Sequence, residues 1–145
     1  MNQTASDPLD AQPLTPLMVV RGLMGDPASH VHWIQRAWRE NCDDFFVGLD
    51  LATNSSDFKV SKVPALDELD TEPGTLTFQT FLSAAMNLAG TQFTDQQAND
   101  IVRVLALSSE TQEWNLWYRR ILLKSLARHL PMETIQSELI RLTTE

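Results

Sequence analysis

Through most of the chain, apolar residues recur at the spacing of one helical face. The clearest stretch runs from Glu113 to Leu130, EWNLWYRRILLKSLARHL. Within it Trp114, Trp117, Tyr118, Ile121, Leu122 and Leu126 recur at i, i+3, i+4, i+7, i+8 and i+12, which predicts one long helix with a core-facing side. Arg120, Lys124 and Arg128 recur every four residues and would form a basic stripe on a neighbouring face of that helix. Upstream, Thr15-Pro16 supplies an N-cap and a first-turn proline, and Leu17, Val20, Arg21 and Met24 follow at helical spacing up to a stop at Gly25. A second helix is expected from Ser29 to Asn41 with Val31, Trp33, Ile34 and Trp38 inward. A short third helix follows Asp43, with Phe45, Phe46 and Leu49 as core positions.

Regular patterning lapses between Thr53 and Pro73. Phe58-Lys59-Val60 alternates like a short strand, but Pro64, Pro73 and Gly74 favour an extended loop. The acidic run Asp67, Glu68, Asp70 and Glu72 reads as a solvated loop, because neither the glycine nor the spacing of a calcium loop is present. Thr77 then caps a helix ending at Gly90, and Thr94 to Gln97 fits a capping box opening a helix to Leu107. That helix offers Ala98, Ile101, Val102, Leu105 and Ala106 to a core. After Pro131 a last helix carries Ile135, Leu139, Ile140 and Leu142. The fold class is therefore all-α: a flexible leader over 1–13, then one compact domain of six or seven helices over 14–145. Trp114, Tyr118, Ile121, Leu122, Phe78, Leu82, Ile101 and Leu105 should share its core.

Charge sharpens this picture. The 145 residues carry a net charge of −8. Residues 1–72 hold five basic and twelve acidic groups, and 73–145 hold six and seven. Within 113–130 four basic residues face Glu113 alone, so one locally basic segment sits on an acidic body. Cys42 is the only cysteine, which excludes an intramolecular disulfide and suits a reducing cytoplasm. No apolar run reaches the length of a membrane span, and the polar, acidic N-terminus lacks the pattern of a signal peptide.

Catalytic chemistry finds little to stand on. His30, His32 and Cys42 include metal-ligand types, but a His-x-His pair on a helix faces two ways and a fourth ligand is missing. Glycine-rich phosphate loops, G-x-S-x-G and H-E-x-x-H do not occur. No metal, no cofactor and no catalytic residue is expected. The Trp/Tyr stripe has the period of packing rather than of a base-stacking platform. The basic stripe leaves two readings open, a solvated face or a row of phosphate contacts.

A series of segments occurs in a fixed order: Phe58-Lys59-Val60-Ser61-Lys62-Val63-Pro64, Gly74-Thr75-Leu76-Thr77-Phe78 with Phe81-Leu82, Leu88-Ala89, Thr94 through Ala98, and Trp117-Tyr118-Arg119-Arg120-Ile121-Leu122-Leu123-Lys124 with Leu126. In that order they resemble the N-terminal DNA-binding domain of phage-type ATP-dependent DNA ligases, from Phe58 to Leu139 and more loosely over residues 29–51. The resemblance implies an all-helical domain that grips the minor groove and backbone around a nick. On that basis Arg119, Arg120, Lys124, Arg128, Lys59 and Lys62 are the expected DNA contacts, and duplex or nicked DNA the expected partner.

The sequence departs from the family after Lys124. Ser125-Leu126-Ala127-Arg128-His129 replaces aspartate, leucine, arginine, cysteine and glycine, and Gln136-Ser137-Glu138 replaces an Asn-Lys pair. Ala127 thus stands where a backbone-contacting arginine is expected, with Arg128 beside it. Lys59 is followed by Val-Ser-Lys and Lys62 by Val-Pro-Ala, so no K-x-D-G adenylation motif precedes Glu145. Without that lysine this chain alone is not expected to ligate, although a parent protein could be an ATP-dependent ligase. The competing expectation is a phage-type regulatory or protein-interaction module on the same fold, even an acidic DNA mimic, with a protein partner on its acidic surface.

Overall fold

The computed structural model describes residues 13–54, 58, 60, 62–66, 74–90 and 92–144. Seven helices account for most of them. Helix α1 spans Pro16–Met24, and α2 spans His30–Arg39 after a 3-10 turn at Pro27–Ser29. Helix α3 is Asp43–Asn54, α4 is Phe78–Gly90 and α5 is Asp95–Leu107. Helix α6 covers 111–122 in three parts: α-helical Thr111–Glu113, a π-helical turn Trp114–Tyr118 and α-helical Arg119–Leu122. A 3-10 turn, Leu126–His129, leads to α7, Met132–Thr144. The described residues contain no β-strand, so the all-α expectation holds.

Local side-chain chemistry starts several of these helices where the sequence predicts. Thr15 Oγ1 accepts from Met18 N at 3.2 Å, and Thr77 Oγ1 accepts from Thr80 N at 3.2 Å. Thr94 and Gln97 close a complete capping box, with Thr94 N to Gln97 Oε1 at 3.0 Å and Gln97 N to Thr94 Oγ1 at 3.1 Å.

The core gathers around α6. Trp114, Trp117, Tyr118, Ile121 and Leu122 are all buried there. The Trp117 ring stacks on Phe45 at 5.9 Å and lies 6.1 Å from Phe78, while Phe81 lies 4.4 Å from Tyr118. Gly48 permits this packing, since a Cβ there would overlap the edge of Trp117. Phe78 and Leu105 are buried in the same cluster, with Leu82 and Ile101 packed against it. The aromatic stripe is therefore core.

Several expectations change. Val31 and Trp38, each 41% exposed, face outward; α2 buries Ile34, as expected, and with it Ala37 and Arg36. Arg36 is accommodated because Nε donates to Glu40 Oε2 at 2.6 Å and the guanidinium lies over the Trp33 ring. On α7 Ile140 is exposed and Glu138 buried, since the face turned to α2 carries Ile135 and Glu138. Phe58 and Val60 lie outside any helix or strand, as the loop expectation has it, with Val60 N donating to Phe58 O at 2.9 Å. Residues 1–12 of the expected leader, Lys59 and the acidic run 67–72 lie outside the described residues.

Candidate nucleic-acid interface

The largest departure concerns the basic stripe. The predicted helix does not run on to Leu130; it stops at Leu122. Lys124 N donates to Ile121 O at 3.0 Å, and Ser125 N donates to Arg120 O at 2.9 Å. Lys124 itself has φ 55°. These bonds make a Schellman cap, with lysine in the left-handed position usually given to glycine. The chain reverses there and enters the 3-10 turn, which buried Leu126 anchors. Arg120, Lys124 and Arg128 thus sit on a helix end, a reversal and a separate turn.

Reversal does not disperse the charge. The guanidinium of Arg120 rests with Nη1 3.1 Å from Met24 Sδ at the end of α1. Partial burial, then the neighbouring Arg119, lowers the Arg120 pKa from its ordinary value. His129 is held below the usual histidine value by partial loss of water, then by Arg120, then by Arg128. Arg120 is thus influenced by Arg119, and His129 by Arg120 and Arg128, with Arg128 and His129 exposed. His129 was not among the residues expected from sequence. Continued helical geometry would have turned it off the stripe.

Arg119 has a second role. Its Nε donates to Val63 O at 3.0 Å, which ties α6 to segment 62–66. Trp114 Nε1 donates to Pro64 O at 2.7 Å. Asn115 accepts from Leu66 N at 2.8 Å and donates to Leu66 O at 3.0 Å. Lys62 N completes the strap by donating to Asn99 Oδ1 of α5 at 3.2 Å. Exposed Lys62 lines a shallow groove of about 240 Å³ with Pro64, Asn99, Asp100 and Arg103. Lys124 lines another recess, about 320 Å³, with Phe58, Val60, Val63, Leu122 and Leu123. Arg103, too, was not foreseen, because α5 read only as a core helix.

No group of three or more His, Cys, Asp or Glu residues able to hold a metal occurs among the described residues. Cys42 is buried, and burial raises its thiol pKa, so it is not an activated nucleophile. Burial, Glu113 and Asp44 together keep the Tyr118 phenol protonated well above the ordinary range. No helix among the described residues is long and apolar enough to cross a membrane. The cluster offers cationic, multidentate hydrogen-bond donors, which suit phosphate oxygens.

No protein-family model matches this chain, and no curated protein does. Two solved structures match it. The one named "Pmar-Lig_PreS3" superposes with a TM-score of 0.77 at 25% identity, over 90% of this chain and 31% of that chain. The one named "Pmar-Lig_Pre." superposes with a TM-score of 0.76 at 26% identity, over 88% of this chain and 30% of that chain. The fold is ligase-like. This chain spans about a third of the length of either ligase-related neighbour.

Proposed function

We propose that this chain is a non-catalytic, ligase-type module that grips duplex DNA at or near a nick through its phosphate backbone, acting in the cytoplasm. The observation carrying this reading is the superposition of 90% of the chain on part of a ligase-related structure. Arg119, Arg120 and Arg128 support it chemically, since arginines that bind phosphate position a duplex without reading its sequence. Lys124 and Lys62 extend the set of contacts.

The test is titration of a nicked duplex by fluorescence anisotropy between about 20 and 200 mM salt. Three or four neutralised phosphates give a log–log slope of roughly −3 to −4, with little dependence on base sequence. Arg120→Ala with Arg128→Ala should flatten that slope by about 2 and leave the circular dichroism unchanged. Incubation with ATP and magnesium should leave the chain unadenylated, as the missing K-x-D-G motif requires. A chain that ignores duplex DNA at about 20 mM salt but retains a protein partner through its acidic surface would transfer the assignment to the regulatory reading.

A further inference from the structure

We propose that Met24 is an oxidation site that governs Arg120, so that oxygen transfer from a hydroperoxide to its sulfur weakens the grip on duplex DNA. The proposal rests on the DNA-binding reading and adds to it a modification site. Arg120 Nη1 lies 3.1 Å from Met24 Sδ, within the reach of an N–H···S bond. Met24 is the last residue of α1, whose Val19, Val20 and Leu23 are buried, and α1 packs against the π-helical turn of α6. Arg120 stands in α6 just before buried Ile121 and Leu122. Packing therefore fixes both backbones, and sulfur and guanidinium meet where two helices end. A thioether is a weak acceptor, so it steadies the guanidinium without drawing off its charge. Met24 is also open to solvent, 42% exposed.

Oxidation changes the acceptor and leaves the fold in place, because an exposed sulfoxide adds no buried polar group. A sulfur lone pair attacks one oxygen of hydrogen peroxide, and the S–O bond forms as the O–O bond breaks. The sulfur gives up two electrons and becomes a sulfoxide, while the peroxide is reduced to water. The new oxygen carries partial negative charge where the thioether carried little. It accepts strongly from the guanidinium and competes with phosphate for the same donor. Methionine sulfoxide reductases remove the oxygen, so the step is reversible. Contact, not exposure, singles out Met24. Met86 on α4 is more exposed, at 57%, but among the described residues no hydrogen bond joins its sulfur to a cation. It is the natural control.

The unmodified chain, Met24→Leu, Met86→Leu and Arg120→Ala should each be treated with graded hydrogen peroxide. Nicked-duplex affinity is measured before and after treatment at constant low ionic strength. Peptide mass spectrometry locates each added oxygen, and circular dichroism follows the fold. We expect Met24 and Met86 both to gain oxygen with the fold unchanged. The unmodified chain and Met86→Leu should then lose affinity severalfold, and methionine sulfoxide reductases should restore it. Met24→Leu and Arg120→Ala should each keep the affinity they had before peroxide. An equal loss in Met24→Leu or Arg120→Ala, a loss that tracks unfolding, or Met24 sulfoxide without loss of affinity would overturn the proposal and leave the DNA-binding reading intact. So would a Met24 that stays reduced while Met86 is oxidised. Absence of duplex binding before peroxide would overturn both.

Discussion

At the scale of single residues, Lys124 carries the most information. A non-glycine residue at φ 55° costs roughly 1–2 kcal/mol relative to right-handed backbone, and glycine at that position escapes the cost. Replacing Lys124 by glycine should therefore raise unfolding stability by about 1 kcal/mol in urea titrations while weakening duplex binding. If stability falls instead, the side chain contributes more to the fold than its backbone costs. Asn41 makes an instructive comparison. It has φ 56° and caps α2 by the same pattern, Cys42 N on Ala37 O at 2.9 Å, and asparagine tolerates that region better than lysine does. This also explains why the end of α6 could not be read in the sequence. A Schellman cap is announced by glycine, and Leu123-Lys124-Ser125 offers none, so periodicity alone carried the expected helix on to Leu130. The caps at Thr15, Thr77 and Thr94 were legible because each is a local bond between a side chain and a nearby backbone N–H.

Among the elements, two junctions determine how the site is held. The first is the strap 62–66, which contributes no regular structure and is fastened by Trp114, Asn115 and Arg119 of α6. Asn115→Ala removes both bonds to Leu66, so stability should fall by roughly 1–3 kcal/mol and amide exchange at Leu66 should accelerate. Unchanged exchange there would show that the strap is held without them. The second junction is α2 against α7, where Glu138 accepts from Gln35 Nε2 at 2.8 Å and from Arg141 Nε at 3.1 Å. The Arg141 bond, then the Gln35 bond, lowers the Glu138 pKa. A carboxylate with a depressed folded pKa stabilises the native state above its unfolded value, about 4.3, and that contribution is lost as pH falls through the lower folded value. Glu138→Gln should accordingly be less stable than the unmodified chain at pH 7 and show a shallower loss on acidification below about pH 4.3. Equally steep acid curves would assign the loss to other carboxylates. The α2–α7 junction eluded the sequence because helical period defines a stripe, but the partner decides which stripe is covered. Hence Val31 and Ile140 face outward while Arg36 and Glu138 are buried.

For the whole molecule, the question is how a chain of net charge −8 could hold a polyanion. Cationic side chains in contact with phosphates release condensed counterions, which gives the steep salt dependence expected above. The acidic body opposes this by long-range repulsion, which salt screens over about 8 Å at physiological ionic strength and about 30 Å at 10 mM. Distant and nearby carboxylates should therefore separate in a salt series. Asp100 shares the groove of Lys62 and Arg103, whereas Asp43 begins α3 in another groove beside Cys42. If Lys62 lies on the DNA path, Asp100→Asn should raise duplex affinity at low salt and keep much of that gain at about 150 mM, because the removed charge is closer to the phosphates than the screening length. Asp43→Asn should raise affinity only at low salt and lose the advantage by about 150 mM. Equal gains at both salts for the two variants would mean that repulsion is not organised by distance from the strap. A gain for Asp43→Asn alone would move the duplex away from Lys62 and toward the α3 side of the fold.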